Sequence, residues 1–396
     1  MDKRKICVIG LGYIGLPTAA LLANKGFQVN GVDIKESIIK TINNGDIHIV
    51  EPGLDKYVKK AIQDNTLHAS LTPSNADIFI IAVPTPFHEG YVPNIDYIIT
   101  ATRMIAPFIK ENNIVILEST SPVGTTEKME QTLKAEGVDT SKMYISHCPE
   151  RVLPGNIMKE LVENDRIVGG IDHESTTETI KFYKEFVRGE IFATDANTAE
   201  MAKLTENSFR DVNIAFANEL SILCDKLNID SLELIKLANR HPRVNILSPG
   251  PGVGGHCIAV DPWFIIHRDP KNAKIIKAAR EINIYKTEWV IEKIKNTALG
   301  FEKTNGKKPI IGCFGLAFKP NIDDLRESPA LHIAKQLKLD GYKILAVEPN
   351  IENHSDFEIV SQEEAMKDGD IFTMLVGHKE FEKLNLKTSL DFCGIL

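Results

Sequence analysis

KICVIGLGYIGLPTAALLANKGFQVNGVD, residues 5–33, is the stretch that decides the fold. An apolar run over residues 5–9 breaks at Gly10-Leu-Gly12-Tyr-Ile-Gly15, and a helix rich in alanine and leucine follows to about Lys25. Gly26-Phe-Gln-Val-Asn-Gly-Val-Asp33 then supplies a second strand that ends in an acid. A dinucleotide-binding βαβ unit needs that order. Gly10 permits the tight turn, Gly12 lets the backbone approach a pyrophosphate, and Gly15 lets helix and strand pack closely. The helix N-terminus then faces the phosphates. Asp33 sits about 20 residues on, where a carboxylate accepts hydrogen bonds from a ribose and repels a 2′-phosphate, so NAD is favoured over NADP.

The pattern continues outward from this unit. Apolar strands are expected at 78–83 and 114–117, and they run into the polar loops Pro84-Thr-Pro86 and Glu118-Ser-Thr-Ser-Pro122. Loops at the carboxyl ends of parallel strands face the ligand crevice, which makes Thr85 and Thr120 candidate cofactor contacts as well as ordinary turn residues. A strand over 143–147 leads into Cys148-Pro-Glu-Arg-Val-Leu-Pro-Gly155.

From about 195 to 297 the pattern turns mainly helical, interrupted by a stretch rich in glycine and proline at 242–262. Residues 270–297 read as one helix of roughly 42 Å at 1.5 Å per residue. Gly300 and Lys303-Thr-Asn-Gly-Lys-Lys-Pro309 read as a linker. Beyond it a strand running into a loop over 309–318, a helix over 328–340 and Gly341-Tyr-Lys-Ile-Leu-Ala-Val-Glu348 repeat the opening plan, with an aromatic after the glycine and an acid seven residues from it. This copy keeps only Gly312 and Gly315 of the fingerprint. The expected fold is α/β: two Rossmann-like doubly wound domains, 1–194 and 301–396, joined by a central helical domain, 195–300, with a long helix.

Composition narrows the function classes. The chain has 396 residues, 43% of them hydrophobic and 25% charged, which is globular material for two or three domains. A net charge of −8 argues against nucleic-acid or anionic-membrane surfaces. No run reaches the roughly 18 apolar residues of a membrane span. The cysteines, Cys7, Cys148, Cys224, Cys257, Cys313 and Cys393, lie far apart and suggest reduced thiols in the cytoplasm with no metal site.

One cysteine has a setting that points to chemistry. Cys257 lies in Gly250-Pro-Gly-Val-Gly-Gly-His-Cys-Ile-Ala-Val-Asp-Pro-Trp-Phe264. A dehydrogenase that moves one hydride needs no thiol, whereas capture of an aldehyde as a thiohemiacetal and its oxidation to a thioester does. A thiol of ordinary pKa near 8.5 needs nearby positive charge or a helix N-terminus to populate the thiolate. Asp261 is placed to hold a water or act as a base near the thiol, or else to serve as a helix N-cap. Lys203, Asn207 and Arg210 are spaced by four and three, so they share a helical face. That face can stabilise an oxyanion and move protons, or be a solvated polar stripe. Glu150 can orient a water or cap the next helix. His241, Arg243, Lys319 and Arg326 lie in loops suited to phosphate recognition or to structural ion pairs.

Taken together, VIGLGYIGLP (8–17), AVPTP (82–86), ESTSPVG (118–124), PERVLPG (149–155), AEMAKLTENSF (199–209), GVGGHCIAVD (252–261) and FGLAFKPNIDDLRESPA (314–330) resemble the UDP-glucose/GDP-mannose dehydrogenase family nearly end to end. The Gly-Gly-His-Cys sequence, with Arg240-His-Pro-Arg-Val-Asn-Ile before it, departs from the Gly-Gly-Ser-Cys and Lys-Asp pattern of the glucose and GDP-mannose branches. It is similar to the branch that acts on UDP-N-acetyl-D-mannosamine. The resemblance implies two NAD reduced per sugar, oxidation of C6 to a carboxylate, UDP held by the third domain, a homodimer built on the central helices, and a product used for surface polysaccharide. It further implies Cys257 as nucleophile, Lys203 as proton donor or acceptor, Asn207 in oxyanion stabilisation, and Asp261 and Glu150 in handling water or protons. By the same resemblance Tyr13, Ile14, Asp33, Thr85, Thr120 and Arg326 contact NAD. Arg151, Val152, Lys203, Asn207, Arg210, His241, Arg243, Gly254, Phe318 and Lys319 contact the sugar nucleotide. Three alternatives stay open: the same reaction on another UDP-acetamido sugar or on UDP-glucose, a two-electron dehydrogenase of the β-hydroxyacid type, which would leave the third domain and Cys257 unexplained, and a non-catalytic nucleotide-sugar sensor.

Overall fold

The computed structural model describes residues 4–382, 384 and 389–395. Packing divides the chain into two compact units, the first ending at Leu204 and the second beginning at Thr205.

In the first unit, β1 (Lys5–Ile9), α1 (Gly15–Asn24) and β2 (Gln28–Val32) form the opening βαβ motif, and α2 (Glu36–Asn43) and α3 (Leu54–Gln63) lead to β3 (Leu67–Ser70). The chain crosses back to β4 (Ile78–Ile81), then runs through α4 (Asp96–Ile105), β5 (Ile114–Leu117), α5 (Thr125–Ala135) and β6 (Tyr144–His147). After α6 (Ile157–Glu163) come β7 (Arg166–Gly170), α7 (His173–Tyr183) and β8 (Ile191–Asp195). The eight strands pair in the order β8-β7-β6-β5-β4-β1-β2-β3. The run β3-β2-β1-β4-β5-β6 is the doubly wound dinucleotide order, and its reversal between β1 and β4 opens the ligand crevice. All pairs are parallel except β6 with β7. β4 (IFII) and β5 (IVIL) are wholly buried, as strands covered by helices on both faces must be. Leu11, Leu16, Leu22 and Ile80 pack on one face, and Phe79, Val115, Met129 and Ile145 on the other.

The helix α8 (Ala196–Leu227) starts in the first unit and continues into the second. The second unit adds α9 (Ser231–Ala238), α10 (Asp261–Arg268) and α11 (Lys274–Asn305), then β9 (Ile310–Phe314), α12 (Pro329–Leu339), β10 (Lys343–Val347), α13 (Gln362–Asp368), β11 (Ile371–Met374) and β12 (Ser389–Asp391). Its sheet has the order β10-β9-β11-β12, all parallel. Val290, Ile291, Ile294 and Ala298 of α11 pack with Ile311, Ile333 and Leu337 in its core.

The expected boundaries of α11 were wrong at both ends. Its start is delayed to Lys274 by a turn in which Asp269 accepts hydrogen bonds from Asn272. At the other end the helix passes through Gly300 and most of the expected linker. It stops at Gly306, whose left-handed backbone (φ +68°) lets its N–H reach the Glu302 carbonyl. An isolated glycine costs a helix only about 1 kcal/mol, so Gly300 was no stop signal.

Candidate functional site

The fingerprint turn of the first unit is built as its three glycines require. Gly10 takes φ +93°, its N–H bonds the Val32 carbonyl at 2.8 Å, and a Cβ there would collide with the Ala82 carbonyl. A Cβ on Gly15 would collide with the Gly10 carbonyl, so this glycine is dictated by close packing. Gly12 faces open space, with nothing within 4 Å of its missing side chain, and that opening at the start of α1 suits a pyrophosphate. Ile14 sits at the N-cap of α1 and Tyr13 is exposed. Asp33 is half-buried; its Oδ2 accepts from Leu11 N–H at 3.1 Å and its Oδ1 from Lys35 N–H at 3.0 Å. The carboxylate is thus fixed against the turn while part of it faces solvent. His48, which no motif marked, lies near Asp33; burial lowers its pKa, and the Asp33 charge opposes that.

At the ends of β4 and β5, Thr85 Oγ1 donates to the Thr120 carbonyl at 2.7 Å. Ser119 Oγ accepts from Val83 N–H at 2.9 Å and donates to its carbonyl at 2.8 Å. The two candidate threonines are therefore brought together on stitched loops. The N-terminus of α5 is capped from α8: Glu200 accepts from Gly124 N–H (2.6 Å), Thr126 N–H (2.8 Å) and Thr126 Oγ1 (2.7 Å). Three residues further along α8, Lys203 is half-buried.

Glu150 lies in a cluster that the sequence concealed. It is buried and pairs with the buried Arg166 at 3.0 Å. Arg166 stacks over the Tyr183 ring at 4.8 Å, and Tyr183 donates to Glu118 Oε1 at 2.8 Å. Burial lifts Glu118 to about 7; Arg166 opposes the rise and Glu150 adds to it. Burial likewise raises the Cys148 thiol to about 11, so it stays protonated. Glu150 does not cap the following helix. That task falls to Glu51, which accepts from Gly155 and Ile157 N–H at 2.8 Å each and so pins the loop carrying Arg151 and Val152. Arg151 donates to the Asp165 carbonyl, and Val152 packs on the core.

In the second unit Asn207 Nδ2 donates to Asp261 Oδ2 at 2.6 Å, and both residues are buried. Asp261 opens α10 and accepts this bond from α8. Cys257 is exposed, outside any disulfide, and one turn before Asp261; its carbonyl accepts from Asp261 N–H at 2.8 Å. Burial holds His256 beside it below its ordinary range, the Arg326 guanidinium adds to that, and the Asp324 charge opposes it. Arg326 binds Asp324 through two of its nitrogens, Nε at 2.9 Å and Nη2 at 2.6 Å, and its carbonyl accepts from Gly255 N–H at 3.0 Å. Gly254 and Gly255 are packed on Phe318, and Lys319 next to it is exposed. Arg210, His241 and Arg243 are exposed, and Arg243 N–H donates to His241 Nδ1 at 3.3 Å. Among the described residues no His, Cys, Asp and Glu cluster has the makings of a metal site, and no helix is long and apolar enough to cross a membrane.

Comparison with known proteins matches three consecutive models. Residues 4–187 match the NAD binding domain of the UDP-glucose/GDP-mannose dehydrogenase family, 197–285 its central domain, and 312–392 its UDP binding domain. The chain is 55% identical to the UDP-N-acetyl-D-mannosamine dehydrogenase of Campylobacter jejuni, over 98% of this chain and 99% of that protein. It is 50% identical to the NDP-N-acetyl-D-galactosaminuronic acid dehydrogenase of Ralstonia nicotianae, over 97% and 93%. The solved UDP-D-ManNAc dehydrogenase of Pyrococcus horikoshii superposes with a TM-score of 0.91 at 38% identity, covering 99% of this chain and 96% of that one.

Proposed function

The chain belongs to the UDP-glucose/GDP-mannose dehydrogenase family and is an NAD-dependent nucleotide-sugar dehydrogenase, and on that premise we propose that it oxidises C6 of UDP-N-acetyl-D-mannosamine to the carboxylate by a four-electron route through Cys257. Bound NAD supplies the hydride acceptor for both oxidations, two being reduced per sugar. Lys203 takes the C6 hydroxyl proton, directly or through water, as the alcohol becomes an aldehyde. Cys257 Sγ then adds to the aldehyde carbon, and Asn207 stabilises the oxygen of the thiohemiacetal. Loss of the second hydride leaves a thioester on Cys257, and water hydrolyses it to the acid and the free thiol. Asp261, oriented by Asn207, and Glu150, held by Arg166, manage the water and its protons.

The observation that carries this reading is Cys257: a solvent-exposed thiol at the head of α10, one turn from a buried carboxylate. The likeness to the Campylobacter jejuni protein supports the mannosamine sugar. The Ralstonia nicotianae relative favours a second reading, the same chemistry on a galactosamine-type sugar. NAD seats on the turn at Gly10, Gly12, Tyr13, Ile14 and Gly15, with Asp33 on the ribose and Thr85, Thr120 and Arg326 as further contacts. Arg151, Val152, Arg210, His241, Arg243, Gly254, Phe318 and Lys319 receive the sugar nucleotide with Lys203 and Asn207. We read the segments 1–194, 195–300 and 301–396 as cofactor, central and UDP-binding domains. Phe209, Phe216 and Leu223 recur every seven residues and are all exposed on α8, which supports a homodimer built on the central helices. The enzyme is cytoplasmic and its product feeds surface polysaccharide.

NADH yield against a panel of UDP-sugars tests this directly. Two NADH per UDP-N-acetyl-D-mannosamine are expected, with multiple turnover abolished in Cys257→Ala. One NADH per sugar, or full activity in that variant, would overturn the route; turnover of another sugar alone would overturn the substrate.

A further inference from the structure

Residues 239–260, which carry Cys257, contain neither helix nor strand, so side chains fix the path together with isolated backbone bonds such as Gly255 N–H to the Arg326 carbonyl. They do so at successive points. Asn213 Nδ2 donates to the Asn245 carbonyl and its Oδ1 accepts from Leu247 N–H, both at 3.0 Å. Asn239 binds Ile246 through both of its backbone groups, at 2.9 and 2.7 Å. Gly250 N–H donates to Asn218 Oδ1 at 2.9 Å, and Thr287 Oγ1 donates to the Pro251 carbonyl at 2.9 Å.

The Asn218 amide cannot turn over. Its Nδ2 donates to Asn283 Oδ1 at 2.9 Å, and Asn283 Nδ2 donates in turn to Asp211 Oδ1 at 2.8 Å. Arg280 Nη1 donates to the same oxygen at 2.7 Å. A carboxylate only accepts, so the anion of Asp211 sets the direction of each amide back to Gly250. Asp211, Asn218 and Asn283 are all at most 1% exposed, where reversing one amide would leave groups unpaired at about 1–3 kcal/mol each.

The eight residues from Gly250 to Cys257 have little slack to absorb a shift at that anchor. Gly252 has φ +147°, and the space of its missing side chain is filled by Thr287 Oγ1 and Pro329. A Cβ on Gly254 would lie 2.5 Å from the Glu327 carbonyl oxygen, and one on Gly255 would lie 2.8 Å from the Phe318 ring. Displacement at Gly250 is therefore passed along the loop. We infer that Asn218 and Asn283, oriented by the Asp211–Arg280 pair, are positioning residues that set the place of the Cys257 sulfur through the Gly250 backbone. This rests on the reading that Cys257 captures an aldehyde.

The test follows NADH per sugar, aldehyde released into semicarbazide, kcat, KM for NAD and melting temperature in the full-length enzyme. Wild type must first give two NADH and no trapped aldehyde; failing that, the reading of Cys257 falls and takes this inference with it. In Asn218→Ala the misplaced sulfur is expected to let aldehyde escape, with NADH per sugar between one and two, kcat down about tenfold or more and KM for NAD within about twofold. Thr287→Val, which removes only the Pro251 bond, should move the same ratio less. It decides the matter, with Asn283→Ser, if Asn218→Ala does not fold. Variants that melt lower yet keep two NADH per sugar and wild-type kcat would show the ladder to be structural only and overturn the inference.

Discussion

Replacing Glu118 with Gln should change the pH dependence of stability more than stability itself. The carboxyl is 2% exposed and shares its surroundings with a second buried carboxylate, Glu150, but Arg166 is the cluster's one cation and pairs directly with Glu150. Burial therefore keeps the Glu118 proton on from the ordinary 4.5 up to about 7. The folded chain binds that proton more tightly than the unfolded chain, so the stabilisation is complete below pH 4.5, is lost as pH climbs to about 7, and changes little beyond. At 1.36 kcal/mol per pH unit the whole interval is worth about 3 kcal/mol, of which about 2.5 falls between pH 5 and 7.5.

Gln keeps the shape and stays neutral throughout. Its oxygen can accept from Tyr183, as Glu118 Oε1 does at 2.8 Å, and its amide can face Thr18 Oγ1, now 3.5 Å from Oε2. The first unit has about 200 residues, for which 1 kcal/mol moves the melting temperature by roughly 2–4 °C. Calorimetry should find the gap between E118Q and wild type widening in the variant's favour by roughly 5–10 °C from pH 5 to 7.5, then holding level to pH 8.5. A gap that stays constant from pH 5 to 8.5 would show that Glu118 is ionised throughout and refute the reasoning.

Asp33→Ser removes a fixed acceptor from the proposed ribose contact; steady-state assays should show KM for NAD raised about 10–100-fold and NADP accepted, and an NAD KM within twofold of wild type would contradict the assignment. Glu200→Ala strips three hydrogen bonds from the α5 N-terminus and should cost about 2–4 kcal/mol, read as a lower melting temperature, while Glu200→Gln, which retains one acceptor, should cost less.

The fingerprint from Lys5 to Asp33 was legible because its signals are local: apolar periodicity, glycines that relieve specific collisions and an acid at a fixed distance. The Glu118–Arg166–Tyr183 cluster was not. Its members lie on β5, β7 and α7 or their ends, and only the winding of the sheet brings them together. Glu51 and Glu200 were hidden for a related reason: each caps a helix more than 70 residues away in sequence, so no capping box exists to be read. Gly300 misled because a glycine in a helix and a glycine after one look alike in sequence. What separates them is the left-handed backbone that Gly306 adopts.

The two copies of the βαβ plan show how one acid can hold a site open or close it. Gly10 and Gly315 share φ values of +93° and +92°, and each donates at 2.8 Å to the end of the neighbouring strand. In the first copy Asp33 accepts from a single N–H of the turn and keeps part of its carboxylate toward solvent. In the second, the longer Glu348 reaches both Leu316 and Ala317 N–H, at 2.8 and 2.9 Å, and its other oxygen takes Asn350 N–H at 3.0 Å. His378 closes the remaining side at 3.0 Å, and these hydrogen bonds, led by that of His378, outweigh burial and hold the acid at about 2. A carboxylate so engaged has already filled the turn whose N–H groups would meet a pyrophosphate. The second copy therefore cannot bind a dinucleotide in the manner of the first. A nucleotide diphosphate in that unit would have to be met by other groups, and on our proposal the exposed Lys319, two residues past Ala317, is one of them.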